Sequence, residues 1–241
     1  MQQRVPSATV AALVALVVAG CSAGGAPAPT SPGASATPSP PPTSTAPSPT
    51  PTVVTREVVE DQGTAVRAGD ARVRVLPAPG TDLDVERRDD GSVVVELDGP
   101  AWLAGAGARV LADGSALAGG GGVQPDGPRL AAAGDDVLRI DGPGSLWFAG
   151  TAVERVDWGD REGGRSLAVT PSAWAREGTD AARELIRDQL VAAEPEAGSA
   201  TMLDQLRCHE IGAPDKATWN LEPWRPDVGL SGMIRALCNP E

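Results

Sequence analysis

The sequence predicts an α+β protein, with a β-hairpin-rich N-terminal part and a C-terminal hairpin-plus-helices domain closed by one disulfide. Three observations predict this. Asp-Gly pairs begin at Asp90, Asp98, Asp113, Asp126 and Asp141, among short apolar runs, and Asp-Gly between such runs signals a hairpin. Behind capping residues in the last third, apolar residues recur at helical spacing. Two cysteines, Cys208 and Cys238, form an even pair once Cys21 is given a different role.

Residues 1–20 have a short polar start with Arg4, then an apolar run over residues 8–19 that ends in small residues. The run is too short to span a bilayer comfortably and reads as a signal peptide. Val18-Ala19-Gly20-Cys21 resembles a lipobox. That resemblance implies a diacylglyceryl thioether on Cys21 and lipid anchoring at the extracytoplasmic face of the cell membrane, where more than one acyl chain holds stably. The other reading is cleavage nearby, with Cys21 left as a free thiol. Residues 21–52 are almost wholly Ala, Gly, Pro, Ser and Thr. Such a segment cannot bury a core and reads as a disordered tether, with a reach of about 50–90 Å.

The chain carries 32 acidic and 20 basic residues, a net charge of −12. That balance argues against nucleic acid as a partner, because phosphate backbones need clustered Lys and Arg. In an oxidising compartment Cys208 and Cys238 are expected to pair. A loop of about 30 residues closed this way gains roughly 3–4 kcal/mol in the chain-entropy account. Two free thiols, or a metal site with His209, are the alternatives, and the spacing does not match structural zinc sites.

Residues 53–146 read as short strands between turns. Residues 72–75 alternate polar and apolar, as in a half-buried strand. Asp90-Gly91 should turn a hairpin with positive φ at both turn positions. The four glycines 119–122 read as a flexible loop, since no strand-to-helix context or Lys-Ser/Thr follows to make a phosphate cradle. The region is expected to be a small β-sandwich or a stack of hairpins.

Residues 147–241 read as a separate domain. Residues 152–158 and 166–170 should form a hairpin around a polar turn at 159–164, closed by Pro171. Thr179 or Asp180 should cap a helix running to Ala193, with Ala182, Leu185, Ile186, Leu190 and Ala193 on one face. Ser199 should cap a second helix through His209, placing Asp204 over Cys208 and Gln205 over His209. Residues 215–226 should be an ordered non-helical loop framed by Pro214, Pro223 and Pro226. A last helix over 228–238 should bury Leu230, Met233, Ile234 and Leu237.

Rare residue types crowd into residues 204–240: the sole histidine, the sole lysine (Lys216), Trp219, Trp224 and the cysteine pair. The run D-Q-x-x-C-H, then K-x-x-W-N-L-E-P-W-R-P-x-V, then a terminal C-N-P, resembles an uncharacterised secreted domain family common in actinobacteria, a domain of unknown function. The similarity begins near Trp147. The resemblance implies a fold unit and an extracytoplasmic address, and no chemistry.

His209 and Glu222 are the candidate catalytic pair, with Asp204, Glu210 and Arg225 nearby; histidine is the natural proton shuttle near neutral pH. A metal site on His209, Glu210 and Asp204 is disfavoured, because adjacent helical residues diverge, so neither metal nor cofactor is expected. Gln205, Trp219, Asn220, Trp224 and Arg225 are candidate ligand-binding residues, in a cleft where indoles stack and polar groups orient a cell-wall glycan or peptide. Three readings stand side by side: a binding or scaffolding module at the cell envelope, a hydrolase acting on envelope polymers, and an interaction module without a small-molecule cleft. Beside these, the Trp-Pro loop has a purely structural reading, with Arg225 paired to Glu222 or Asp204.

Overall fold

The computed structural model describes residues 54–161 and 163–241. The signal segment, Cys21 and the tether lie outside the described residues. The chain enters through helix α1 (Arg56–Gln62). Eleven strands follow: β1 (Thr64–Ala68), β2 (Ala71–Pro77), β3 (Leu83–Arg87), β4 (Val93–Leu97), β5 (Ala101–Ala104), β6 (Arg109–Val110), β7 (Ala116–Ala118), β8 (Gly121–Asp126), β9 (Arg129–Gly134), β10 (Val137–Asp141) and β11 (Gly144–Ala149). They form two antiparallel sheets, ordered β1-β2-β5-β10-β9 and β3-β4-β11-β8-β7-β6. A common core joins them: Val66, Val73, Val75, Leu103, Leu138 and Ile140 from the first sheet meet Val93, Val95, Val123, Leu146 and Phe148 from the second. The region is a β-sandwich. Its strands alternate as expected, β2 with pattern buried-exposed-buried over Ala71–Val75.

The Asp-Gly pairs fall into two kinds by the residue that follows. Asp90-Gly91-Ser92 and Asp113-Gly114-Ser115 turn hairpins within one sheet, β3–β4 and β6–β7. In both, the Asp Oδ1 accepts from the Ser backbone N–H and from its hydroxyl. Only the glycine takes positive φ, 80° at Gly91 and 89° at Gly114, so these are three-residue turns with a left-handed glycine. The two-residue turn expected from sequence needs positive φ at the Asp as well. Asp-Gly-Pro occurs at 98–100, 126–128 and 141–143. Each time the chain crosses from one sheet to the other, between β4 and β5, β8 and β9, and β10 and β11. Proline cannot donate to a ladder, so it ends pairing where the strand must leave its sheet.

The four glycines are not a flexible loop. Gly119 and Gly120 form the turn of the β7–β8 hairpin, at φ 59° and 81°. Gly121 and Gly122 lie inside β8, where a Cβ on Gly122 would sit 2.2 Å from the Trp174 ring.

That close approach seats a second layer on the six-stranded sheet. Strands β12 (Val153–Arg161) and β13 (Gly164–Pro171) make a long hairpin, followed by α2 (Asp180–Ala193), α3 (Ala200–Gly212), β14 (Trp219–Leu221) and α4 (Gly229–Arg235). β12, β13 and β14 form a third antiparallel sheet. The turn expected at 159–164 is mostly strand, with Gly159 opposite Ser166 and Arg161 opposite Gly164. The loop expected at 215–226 contains β14, which pairs with β13. Thr179 caps α2 by accepting from the Ala182 N–H. The buried face of α2 is Ala181, Ala182, Leu185, Ile186 and Leu190; Ala193 is exposed. This face meets Leu167, Val169, Met202, Leu206, Trp219 and Leu221, with Leu117 and Trp147 of the sandwich packed against the same cluster. Trp174 donates to the Trp147 carbonyl at 3.1 Å, and Gln124 donates to the Trp174 carbonyl and the Thr179 hydroxyl.

Helix α4 is shorter than expected and buries only Met233. It closes by a Schellman arrangement: the Cys238 N–H reaches the Met233 carbonyl at 2.9 Å while Leu237 takes φ 52°. This closure turns the chain back toward α3, where Cys238 bonds Cys208 across a sequence separation of 30. Leu237 and Ile234, expected inside, therefore point outward, with Leu237 83% exposed.

Candidate functional site

The β12–β13–β14 sheet has two unlike faces. Its inner face carries Trp158, Leu167, Val169, Trp219 and Leu221 into the second core. Its outer face carries Gly159 and Arg161 from β12, Gly164, Ser166 and Ala168 from β13, and Asn220 from β14, in register as Gly159 with Ser166 and Ala168 with Asn220. Two glycines leave room for the side chains that cover this face. The Arg161 guanidinium stands over Gly159, 3.7 Å from where a Cβ would be, and the Trp224 indole lies on Gly164. Trp224 is 45% exposed and stacks on Arg225 at 4.6 Å.

Beneath this cover, Arg161 Nη1, Ser166 Oγ and Asn220 Oδ1 are buried and make no hydrogen bond. Ser166 is 0% exposed. Buried polar atoms almost always find partners, so three orphans on one face call for an explanation. They comprise an N–H donor, a hydroxyl that both donates and accepts, and a carbonyl acceptor.

Behind β14 the sequence-predicted residues come together as a buried clasp. Thr201, Gln205 and His209 form one strip of α3 at i, i+4, i+8. Gln205 Nε2 donates to the Glu222 carbonyl and Gln205 Oε1 accepts the Glu222 N–H, both at 2.9 Å, so its amide continues the ladder as a strand residue would. His209 Nε2 donates to the Asn220 carbonyl at 3.0 Å, which leaves Nδ1 as a bare, buried acceptor. Arg225 donates through Nε to Glu222 Oε2 and through Nη1 to the Pro240 carbonyl at 3.0 Å, while the Thr201 hydroxyl bonds the Arg225 carbonyl. The Glu222 and Arg225 side chains are only 2% and 4% exposed. Trp219 is fully buried, and its Nε1 donates to the Ala213 carbonyl. Of the two tryptophans, only Trp224 reaches solvent.

The acidic neighbours go elsewhere. Glu210 pairs with Arg207 at 2.8 Å, away from His209. Burial pushes the Glu210 carboxyl up, against the opposing pull of Arg207. Burial and the nearby Asp227 raise Asp204. Arg161 was not legible as a site residue because 159–164 read as a turn, and Ser166 read as an ordinary strand residue; the signal was small residues at alternate positions of two facing strands.

Burial lowers the His209 pKa below 6.5, despite the favourable Asn220 carbonyl. The unfolded chain therefore takes up the proton more readily than the folded one, and stability is lost as pH falls below about 6.5. In urea titrations from pH 7.5 to 5, the stability advantage of the wild type over His209→Asn is expected to shrink. Both proteins carry Glu210, so its opposite contribution cancels. A constant difference across that range would rule out this role for the imidazole.

Residues 153–241 match the family described as "Protein of unknown function (DUF2599)". Uncharacterized proteins of Mycobacterium bovis and of two strains of Mycobacterium tuberculosis are each 38% identical over 96 residues, covering 36% of this chain and 65% of theirs. The chain thus spans about 65% of the length of the curated relatives it matches. No solved structure matches. Residues 153–241, which hold the β12–β13–β14 sheet and its clasp, are thus similar to a domain of unknown function.

Proposed function

We propose that the chain is a lipid-anchored protein of the cell envelope whose C-terminal region binds a wall glycan on the outer face of β12–β13–β14. The observation that carries this is the set of three orphaned polar atoms, Arg161 Nη1, Ser166 Oγ and Asn220 Oδ1, on one face beside a half-exposed indole. Sugar hydroxyls both donate and accept, and so can satisfy all three, while a sugar ring stacks on Trp224. Arg161 and Trp224 cover bare glycines, so both side chains can shift to admit a ring. Binding is favoured over hydrolysis because Glu222 and His209 are engaged in the clasp, and a general acid or base must reach the bond it serves. The anchor rests on Val18-Ala19-Gly20-Cys21 and the tether that follows.

Co-sedimentation with isolated cell walls tests the reading. Trp224→Ala and Arg161→Gln should each lower retention about tenfold, equivalent to ~1.4 kcal/mol, with folding intact by circular dichroism. Cys21→Ala should move the protein out of the membrane fraction. Retention unchanged in both face variants would refute the binding face, and Cys21→Ala left in the membrane would refute the anchor.

A further inference from the structure

On the sandwich, remote from the glycan face in sequence, Arg67 of β1 and Arg72 of β2 are register partners. Partners across a ladder project to the same side, and like charges directly opposite are destabilising. Both side chains are exposed, and neither has a carboxylate within ion-pair distance or any hydrogen bond among the described residues. The chain has 32 acidic side chains from which to supply one.

The two arginines line an open groove of 620 Å³ with Arg56, Arg74, Glu60 and Asp70, over a floor of Ala104, Gly105, Ala106 and Gly119. Arg56 is already held by Glu60 and Asp136. Arg74 is oriented by donating to the Gly63 carbonyl at 2.9 Å. Four guanidinium groups against Glu60, Asp70 and the Asp136 that also holds Arg56 leave the groove with an excess of positive charge in a chain of net charge −12. The floor carries no long side chain, so a ligand can approach the backbone. Gly119 cannot be replaced there, because a Cβ would collide with the Arg72 carbonyl.

We infer that this groove is a binding site for a phosphate monoester, held between Arg67 and Arg72. Two facing cations with no carboxylate in ion-pair contact favour an anion carrying nearly two negative charges, and a phosphate monoester carries about −1.5 to −2 at neutral pH. Guanidinium forks match phosphate oxygens in bidentate geometry. The volume of the groove exceeds that of a phosphate group, so the rest of the ligand lies along the Gly105–Gly119 floor. The ligand removes the repulsion between the two arginines, so binding and stability are coupled.

The test is a set of melting curves on the purified full chain, with glycerol phosphate in solution or phosphatidic acid in mixed micelles, each against chloride at matched ionic strength. The wild type should melt higher with at least one probe, and which probe acts identifies a soluble ester or a lipid headgroup as the source. Arg67→Gln and Arg72→Gln should melt at or above the wild type without ligand, since each removes a like-charge pair. Each should weaken binding at least tenfold. Arg129→Gln, an exposed arginine at the start of β9, controls for net charge and should bind as the wild type does. No rise with either probe would overturn the inference. So would equal binding by the Arg67 or Arg72 variants and the wild type.

Discussion

Replacing Arg225 with methionine is expected to lower the unfolding free energy by about 3–5 kcal/mol, the range for breaking a buried ion pair by removing one partner. The Glu222 and Arg225 side chains are both almost wholly shielded from water. Arg225 also ties the chain terminus to β14 through the Pro240 carbonyl. Methionine fills much of the volume but leaves the Glu222 carboxylate uncompensated and the Pro240 carbonyl without this donor. Arg225→Lys should rescue little, because a single ammonium cannot reproduce the guanidinium fork that serves both acceptors. Urea unfolding of the two variants measures the effect. A loss under about 1 kcal/mol in Arg225→Met, the range of an exposed pair, would mean that the clasp is solvated in solution.

Removing the disulfide in a Cys208→Ser, Cys238→Ser double variant is expected to cost roughly 3–4 kcal/mol through the freed loop. The loss should be local before it is global. Helix α4 spans seven residues and buries only Met233, which packs with the two cysteines. A helix that short does not persist unaided. Hydrogen exchange should show α4 amides losing protection while β4, β8 and β11 keep theirs. If α4 stays protected in the double variant, Met233 and the Schellman closure hold it without the bridge.

Local chemistry was readable and partnership was not. Helix α2 could be placed because Thr179 caps it and its apolar residues keep helical spacing over four turns. The Cys208–Cys238 bridge followed from counting cysteines. The β3–β4 hairpin followed from Asp90-Gly91. Nothing local says which sheet a strand joins, although Asp-Gly-Pro marks three of the five crossings between the two sheets of the sandwich. The two tryptophans of the W-N-L-E-P-W segment read alike until β14 is known to be a strand. Alternation then sends Trp219 and Leu221 inward and Asn220 outward. The helical spacing of Leu230, Met233, Ile234 and Leu237 suggested a buried stripe, but α4 ends at Arg235 and leaves Ile234 and Leu237 at the surface. The candidate catalytic residues were legible as a cluster; that they clasp β14 depends on pairing between α3 and a strand the sequence presented as a loop.

Whether the outer face of β12–β13–β14 is built for a ligand shows in the melting temperature of Ser166→Ala with and without soluble wall glycan fragments. A buried hydroxyl without a partner costs stability, so its removal should leave the unliganded protein as stable as the wild type or more so. The same change should shrink the rise in melting temperature that the fragments produce. A fall of several degrees without ligand, together with an unchanged response to the fragments, would show that Ser166 serves the fold alone and would contradict the account.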